Sequence, residues 1–343
     1  VTVKVGAGLD KIMSDNNGNK VVQFFVRFKS AGVLIILVAL VTLATIATPE
    51  GNFLGVANIK ILLSLGSEFG IVALGIGLLM IAGEFDLSIG SVLAFCSLVF
   101  AWLIGISVHP LIAAPITLAC GSLVGMLNGL LTVKAKIVSF MATLATMMFW
   151  RGFTLVLSGG TMRPIDLEEF PVYTSLLIGN LGNFFPAQAI WFLFFAVILF
   201  LVLHYRRFGN WIYATGDNVM AARAMSINTD MVKIACFIIV GFLCAFAALF
   251  QTARLAAFSS RVGTGWELRA VAAAVVGGTS LRGGRGSMVG IFLGALIIIV
   301  IENMVVLTRL AYEWTYMVLG LVTLGAVLLD LLIEKQVQGA KVS

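Results

Sequence analysis

YRRFGNWIYATGDNVMAARAMSINTDMVK, residues 205–233, is the longest polar interruption of the chain that also carries an excess of basic side chains. Arg206, Arg207, Arg223 and Lys233 stand against Asp217 and Asp230, and long apolar runs lie on both sides. Within it, residues 218–225 read as a short helix with Asp217 or Asn218 as N-cap. Ala221, Ala222 and Met225 fall on one face of that helix, and nothing else in the loop could cover them. A short helix with a small-residue face, held on a basic loop outside the apolar runs, suits docking to another protein; the bland alternative is a solvated connector.

The flanks decide the fold class. Hydrophobic residues make up 60% of the 343 and charged residues 11%, whereas soluble domains are about 45–50% apolar and roughly 25% charged. Apolar runs fall at 31–47, 62–82, 89–107, 110–133, 137–157, 189–204, 234–252, 268–276, 288–307 and 312–333. A membrane-spanning helix needs about 20 apolar residues, and the period-two segments of a membrane barrel are absent. An all-α polytopic membrane protein of about ten segments is expected. The run at 268–276 is too short to span alone, so it must be broken, extended through its glycines or buried among neighbours. Residues 1–30 read as a polar, basic lead-in, 31–333 as the membrane domain and 334–343 as a tail. The first apolar run follows a basic flank, as a signal peptide does, but its length and the many later runs favour a retained helix.

Lysine and arginine orient the chain. With the N-terminus in the cytoplasm, fifteen fall in cytoplasmic loops and tails and five (Lys60, Arg163, Arg254, Arg261 and Arg309) in external loops. That asymmetry obeys the positive-inside rule for an even number of spans. Both termini and the 205–233 loop are then cytoplasmic, and residues 158–188, with Asp166, Glu168 and Glu169, face outward. The net charge of +6 therefore reflects orientation and membrane lipid, with no nucleic-acid partner implied.

Two glycine-rich breaks, GEFDLSIGS at 83–91 and GGTSLRGGRGS at 277–287, each follow an apolar run and open into another. Paired interruptions point to two related halves with a pathway between them. Gly121, Gly125 and Gly129, and Gly290 with Gly294, have the spacing that lets helix backbones pack closely, within the bundle first and at a dimer seam second. Glu84 and Asp86 could act as an acid/base pair, bind a cation or hydrogen-bond the hydroxyls of a polar solute; the bland alternative is exposed loop charges near the cytoplasmic end, and Asp86 suits capping the next helix. Glu302, beside Asn303 in an apolar run, is a functional candidate, as intramembrane carboxylates are by default. Arg151 is a conceivable partner for it, and Asn128 a polar contact between helices. No catalytic motif, metal-ligand spacing or Walker A sequence is present, so the chain reads as neither an enzyme nor an ATPase.

These stretches together resemble the permease subunits of ribose-type ABC importers, a branch that also serves other monosaccharides, autoinducer-2-like signals and nucleosides. FDLSIGS at 85–91, LTVKAKIVSFMATLATM at 131–147, RGFTLVLSGG at 151–160 and GTGWELRAVAAAVVGGTSLRGGRGSMVGIFLGAL at 263–296 carry the resemblance. It implies a type II importer fold in the bacterial inner membrane and a dimer with a second copy or a paralogue. It further implies a cytoplasmic ATPase that holds ATP and Mg itself, a periplasmic solute-binding protein and alternating access. The 205–233 loop then corresponds to the coupling loop, with Gly216, Asp217, Asn218, Ala221, Ala222, Arg223, Ser226 and Ile227 at the docking site. Val219 stands where an acidic residue is common and Ser226 where glycine is usual. Pathway candidates are Phe85, Asp86, Ser88, Asn128, Thr279, Ser280, Glu302 and Asn303. An ion-coupled secondary transporter using Glu302, Glu84 or Asp86 is the alternative reading.

Overall fold

The computed structural model describes residues 29–182, 184–311 and 313–342. The lead-in expected over 1–30 lies outside the described residues except for Lys29 and Ser30, which open the first helix. The helices are α1 (Lys29–Ala47), α2 (Val56–Ile81), α3 (Ile89–Gly105), α4 (Pro110–Val133), α5 (Ser139–Ser158), α6 (Pro171–Ile178) and α7 (Ala187–Tyr205), then α8 (Arg207–Asp217), α9 (Val219–Ala224), α10 (Thr229–Leu255), α11 (Trp266–Val276), α12 (Met288–Leu307) and α13 (Glu313–Val342). Six of them (α2, α4, α5, α7, α10 and α12) are long and apolar enough to cross a membrane, and α1, α3 and α13 contain shorter apolar stretches. The polytopic helical class expected from composition is present.

The long helices overrun their apolar runs. α2 starts at Val56, ahead of residue 62, and α10 covers Thr229–Leu255 where 234–252 was expected. Their added turns carry the charges that hydropathy excludes: Lys60 in α2, and Asp230, Lys233 and Arg254 in α10. Asn228 caps α10 by accepting from the Met231 amide at 3.1 Å, which fixes its start outside the apolar run.

α2 and α10 form the centre. Every residue of α2 from Gly66 to Ile81 is buried, and α10 packs against α2, α3 and α4. A helix apolar all round belongs in the interior of a bundle, and both sequences have that character. Two ion pairs fasten α2 and the link after it to α10, Glu68–Arg254 at one end and Glu84–Lys233 at the other.

The two halves repeat one order: long helix, non-helical link, shorter helix, turn, then two helices. α2, 83–88, α3, α4 and α5 correspond to α10, 256–265, α11, α12 and α13. Packing follows the same correspondence, since α10 lies on α4 as α2 lies on α12. The partner of the 83–91 break by this order is the link 256–265, not 277–287 as the sequence pattern suggests. The first turn of α3 meets the second link, where a Cβ on Gly90 would stand 2.2 Å from the Gly263 carbonyl oxygen. Glycine–serine endings mislead the pairing because both kinds of segment need small residues at close contacts.

The 268–276 run is the buried half-helix α11, rising only about 16 Å, and the non-helical link before it completes its path. Both glycine stripes pack within the chain: Gly125 faces the Phe237 carbonyl of α10, and Gly294 faces the Ala273 carbonyl of α11. At each, a Cβ would stand 2.2 Å or less from that oxygen.

Candidate functional site

The 205–233 loop folds as two helices. α7 ends at Tyr205, and the chain turns sharply because Gly209 packs on the Leu203 carbonyl, where a Cβ would stand only 1.9 Å away. α8 buries Ile212 and leaves Trp211 exposed. Tyr213 donates its hydroxyl to the Gly286 carbonyl at 2.8 Å, and burial pushes its phenol up to about 12, so it stays a neutral donor at physiological pH. The sequence reading passes over α8, although Phe208, Trp211 and Ile212 show helical spacing there.

α8 ends in a three-way junction. A Cβ on Gly216 would lie 1.9 Å from the Ile81 carbonyl oxygen at the end of α2 and 2.6 Å from the Gly284 nitrogen. Gly283, at φ +82°, sits against Gly83, and Gly284 donates to the Ile81 carbonyl at 2.9 Å. The two glycine-rich breaks and the loop therefore meet backbone to backbone at one end of the bundle.

From this junction projects α9. Asn218 is its N-cap, accepting from the Ala221 amide at 3.0 Å, while Asp217 packs against Gly284. Met220, Ala221 and Met225 are exposed, whereas Ala222 is buried against the chain. Ala222, expected on the contact face, is instead packed against its own chain, and Met220, Ala221 and Met225 are among the exposed residues of this segment. Arg223 is also turned back, donating to Thr229 at 3.0 Å and to Asp230 at 2.8 Å.

The backbone returns through Ser226 at φ +62°, a left-handed conformation, and Ile227 donates to the Ala222 carbonyl at 3.1 Å. A non-glycine residue there costs roughly 1 kcal/mol. Ser226→Gly is therefore expected to raise the thermal midpoint slightly, as measured by melting of the purified chain.

Polar residues of the 83–88 link are buried, not exposed loop charges. Asp86 accepts from the Ser88 amide at 2.8 Å and from its hydroxyl at 2.6 Å, and Asn128 donates to both residues. The helix N-cap is Ser88, so Asp86 acts just ahead of the cap by holding the Ser88 amide. The Phe85 and Leu87 amides donate to Ser139 and Thr143 at the start of α5. Phe85, Asp86, Ser88 and Asn128 thus come together. Thr279 and Ser280 lie instead in the turn behind Gly283, where Ser280 receives the Gly283 and Arg282 amides.

Glu302 and Asn303 lie at the opposite end of the bundle from α9. Glu302 pairs with Arg269 of α11 at 2.9 Å, not with Arg151, which donates to the carbonyls of Ser260 and Val262. Asn303 exchanges two amide hydrogen bonds with Asn58, at 2.8 and 2.9 Å. Beside them Glu68, fully buried, is held by both arms of Arg254 at 2.8 and 3.0 Å. Glu68 is absent from the expected set, although the rule applied to Glu302, a carboxylate inside an apolar run, selects it equally.

The family model described as "Branched-chain amino acid transport system / permease component" matches residues 58–327. The ribose import permease protein of Escherichia coli (strain K12) is 35% identical over 306 residues, 88% of this chain and 92% of its own. That of Haemophilus influenzae is 35% identical over 311 residues, 90% and 94% of the two chains. The autoinducer 2 import system permease protein of Salmonella choleraesuis is 31% identical over 285 residues, 82% and 80%. No solved structure matches. The matched region contains the junction, α9, the Asp86 cluster and the Glu68–Arg254, Glu84–Lys233 and Glu302–Arg269 ion pairs, and the chain belongs to this family of membrane-spanning permease subunits of ABC importers.

Proposed function

We propose that the chain carries a neutral small solute of the monosaccharide class across the bacterial inner membrane by alternating access. α9 is the surface on which a cytoplasmic ATPase docks. The observation that carries this reading is the junction of Gly83, Gly216 and Gly283, which ties α9 to the ends of both glycine-rich breaks. A pull on α9 is transmitted to α2 and to the segment between α11 and α12, because backbone in direct contact leaves no compliant side chains between them. The ribose import relatives favour a monosaccharide over the amino acid in the family description.

Ten spans with both termini inside, α11 counting as a half-span, fit this reading, and the excess of basic residues in 205–233 supports a cytoplasmic α9. A periplasmic binding protein delivers solute, and a second copy or a paralogue completes the pore. ATP and Mg reside on the ATPase. The ion-coupled alternative loses support at Glu84 and Glu302, which each face a cationic partner, while Asp86, its third candidate, is held by Ser88 and Asn128.

Reconstituted with its ATPase and binding protein, the complex is expected to take up labelled monosaccharides with ATP, and to stop when the ATPase is catalytically inactive. Uptake driven by an ion gradient alone sinks the reading. Ala221→Glu should leave the chain folded but remove the ATPase from the purified complex. Normal complex yield from that variant would count against α9 as the docking surface.

A further inference from the structure

The end of the bundle opposite α9 holds a cavity of about 300 Å³ between α2, α10, α11 and α12. That is the lower end of the range for small-molecule sites, about 300–1,000 Å³. Glu68, Gln251, Arg254, Trp266, Glu302 and Asn303 line it. Trp266 stands edge-to-face with Phe69, their ring centroids 5.5 Å apart, giving one aromatic wall. Apolar side chains of α2 and α12, Leu62, Leu65, Ile299 and Val306 among them, surround the polar groups.

Charge decides what fits. Glu68 is matched by Arg254 and Glu302 by Arg269, which is not itself among the lining residues, so each carboxylate at the cavity is compensated by a guanidinium partner. An inorganic ion or a lipid phosphate gains nothing there. Gln251 is only 6% exposed, lines the cavity, and its carbonyl Oε1 has no hydrogen-bond partner. A buried acceptor left unmade is costly, and a hydroxyl donor satisfies it.

We propose that this cavity is a binding station for a neutral polyhydroxylated solute of the monosaccharide class. Its hydroxyls bridge Gln251 Oε1 and the outward edges of the two ion pairs, and its apolar face lies against Trp266. The inference rests on the function proposed above and adds where in the chain the solute is held.

The test uses the complete transporter in proteoliposomes with a Val306→Cys substitution, since Val306 lies on the cavity lining and is 57% exposed. D-ribose and a panel of neutral monosaccharides are the probes, N-ethylmaleimide is the label, and the unsubstituted chain gives the background of the native cysteines. One or more of the sugars is expected to slow labelling of the introduced thiol. Gln251→Leu is expected to raise the half-protecting concentration roughly three- to tenfold, one hydrogen bond's worth. Gln251 also hydrogen-bonds the buried Glu68 carboxylate, so the variant is first checked for an unchanged size-exclusion profile, and protection of Val306→Cys in the otherwise native chain carries the test where that profile changes. Sugar uptake without protection overturns the site and leaves the function standing. Protection by phosphate or added lipid, with none by sugar, also overturns it. No uptake and no protection with any monosaccharide overturns both.

Discussion

Gly216→Val is expected to lower ATP-driven uptake by more than about tenfold while leaving the protein in the membrane. Any side chain at this position meets backbone: the Ile81 carbonyl oxygen at 1.9 Å and the Gly284 nitrogen at 2.6 Å from a Cβ. Neither neighbour can swing aside as a flexible side chain would. The Gly284–Ile81 hydrogen bond must break, or α8 must lift away from α2 and take α9 with it. Overpacking of this sort costs about 1–3 kcal/mol, within what a bundle can absorb locally.

The loss should therefore fall on coupling. ATP hydrolysis by the assembled complex is expected to persist and to become insensitive to the loaded binding protein. Gly105→Ala is the control, since a Cβ there meets nothing within 4 Å. Wild-type uptake by Gly216→Val would show that the junction transmits nothing.

The second large effect is on folding. Arg254→Ala is expected to cost about 3–5 kcal/mol, because it strands the Glu68 carboxylate in a buried site, and Glu68→Ala to cost less, since the Arg254 side chain it leaves is 30% exposed. Glu68 Oε1 and Oε2 receive the two Arg254 donors, and the carboxylate has almost no contact with solvent. Size-exclusion profiles after heating in detergent should show early aggregation of Glu68→Ala and of Arg254→Ala. Replacing both residues with leucine should recover much of the thermal stability, since a buried pair is often neutral against an apolar substitute. If the double variant is no more stable than the singles, the pair supplies something beyond mutual charge compensation.

Much of this fold is open to reading in the chain itself. Long runs lacking charge can only be interior or membrane helices, so the class follows from composition and period. The 218–225 helix and its Asn218 cap are legible for a local reason, because a cap depends on residues three apart. What stays hidden depends on distant contacts. Ala221 and Ala222 look alike in sequence, and only the packing of α9 on its own chain shows that one is buried and the other exposed. Nothing local separates Arg151 from Arg269 as a partner for Glu302, and the re-entrant link before α11 brings the second within reach. α8 is hidden for a different reason, its apolar residues being spread among polar ones in a loop that reads as a connector.

Coupling depends on α9 being the point where an ATPase grips this chain. Affinity purification of the full chain from mild detergent, with everything that accompanies it identified, tests that most directly. A P-loop ATPase in stoichiometric amount, lost in Ala221→Glu, is the expected result. The chain recovered alone, and still transporting in liposomes under an ion gradient, would contradict it and return attention to Glu302.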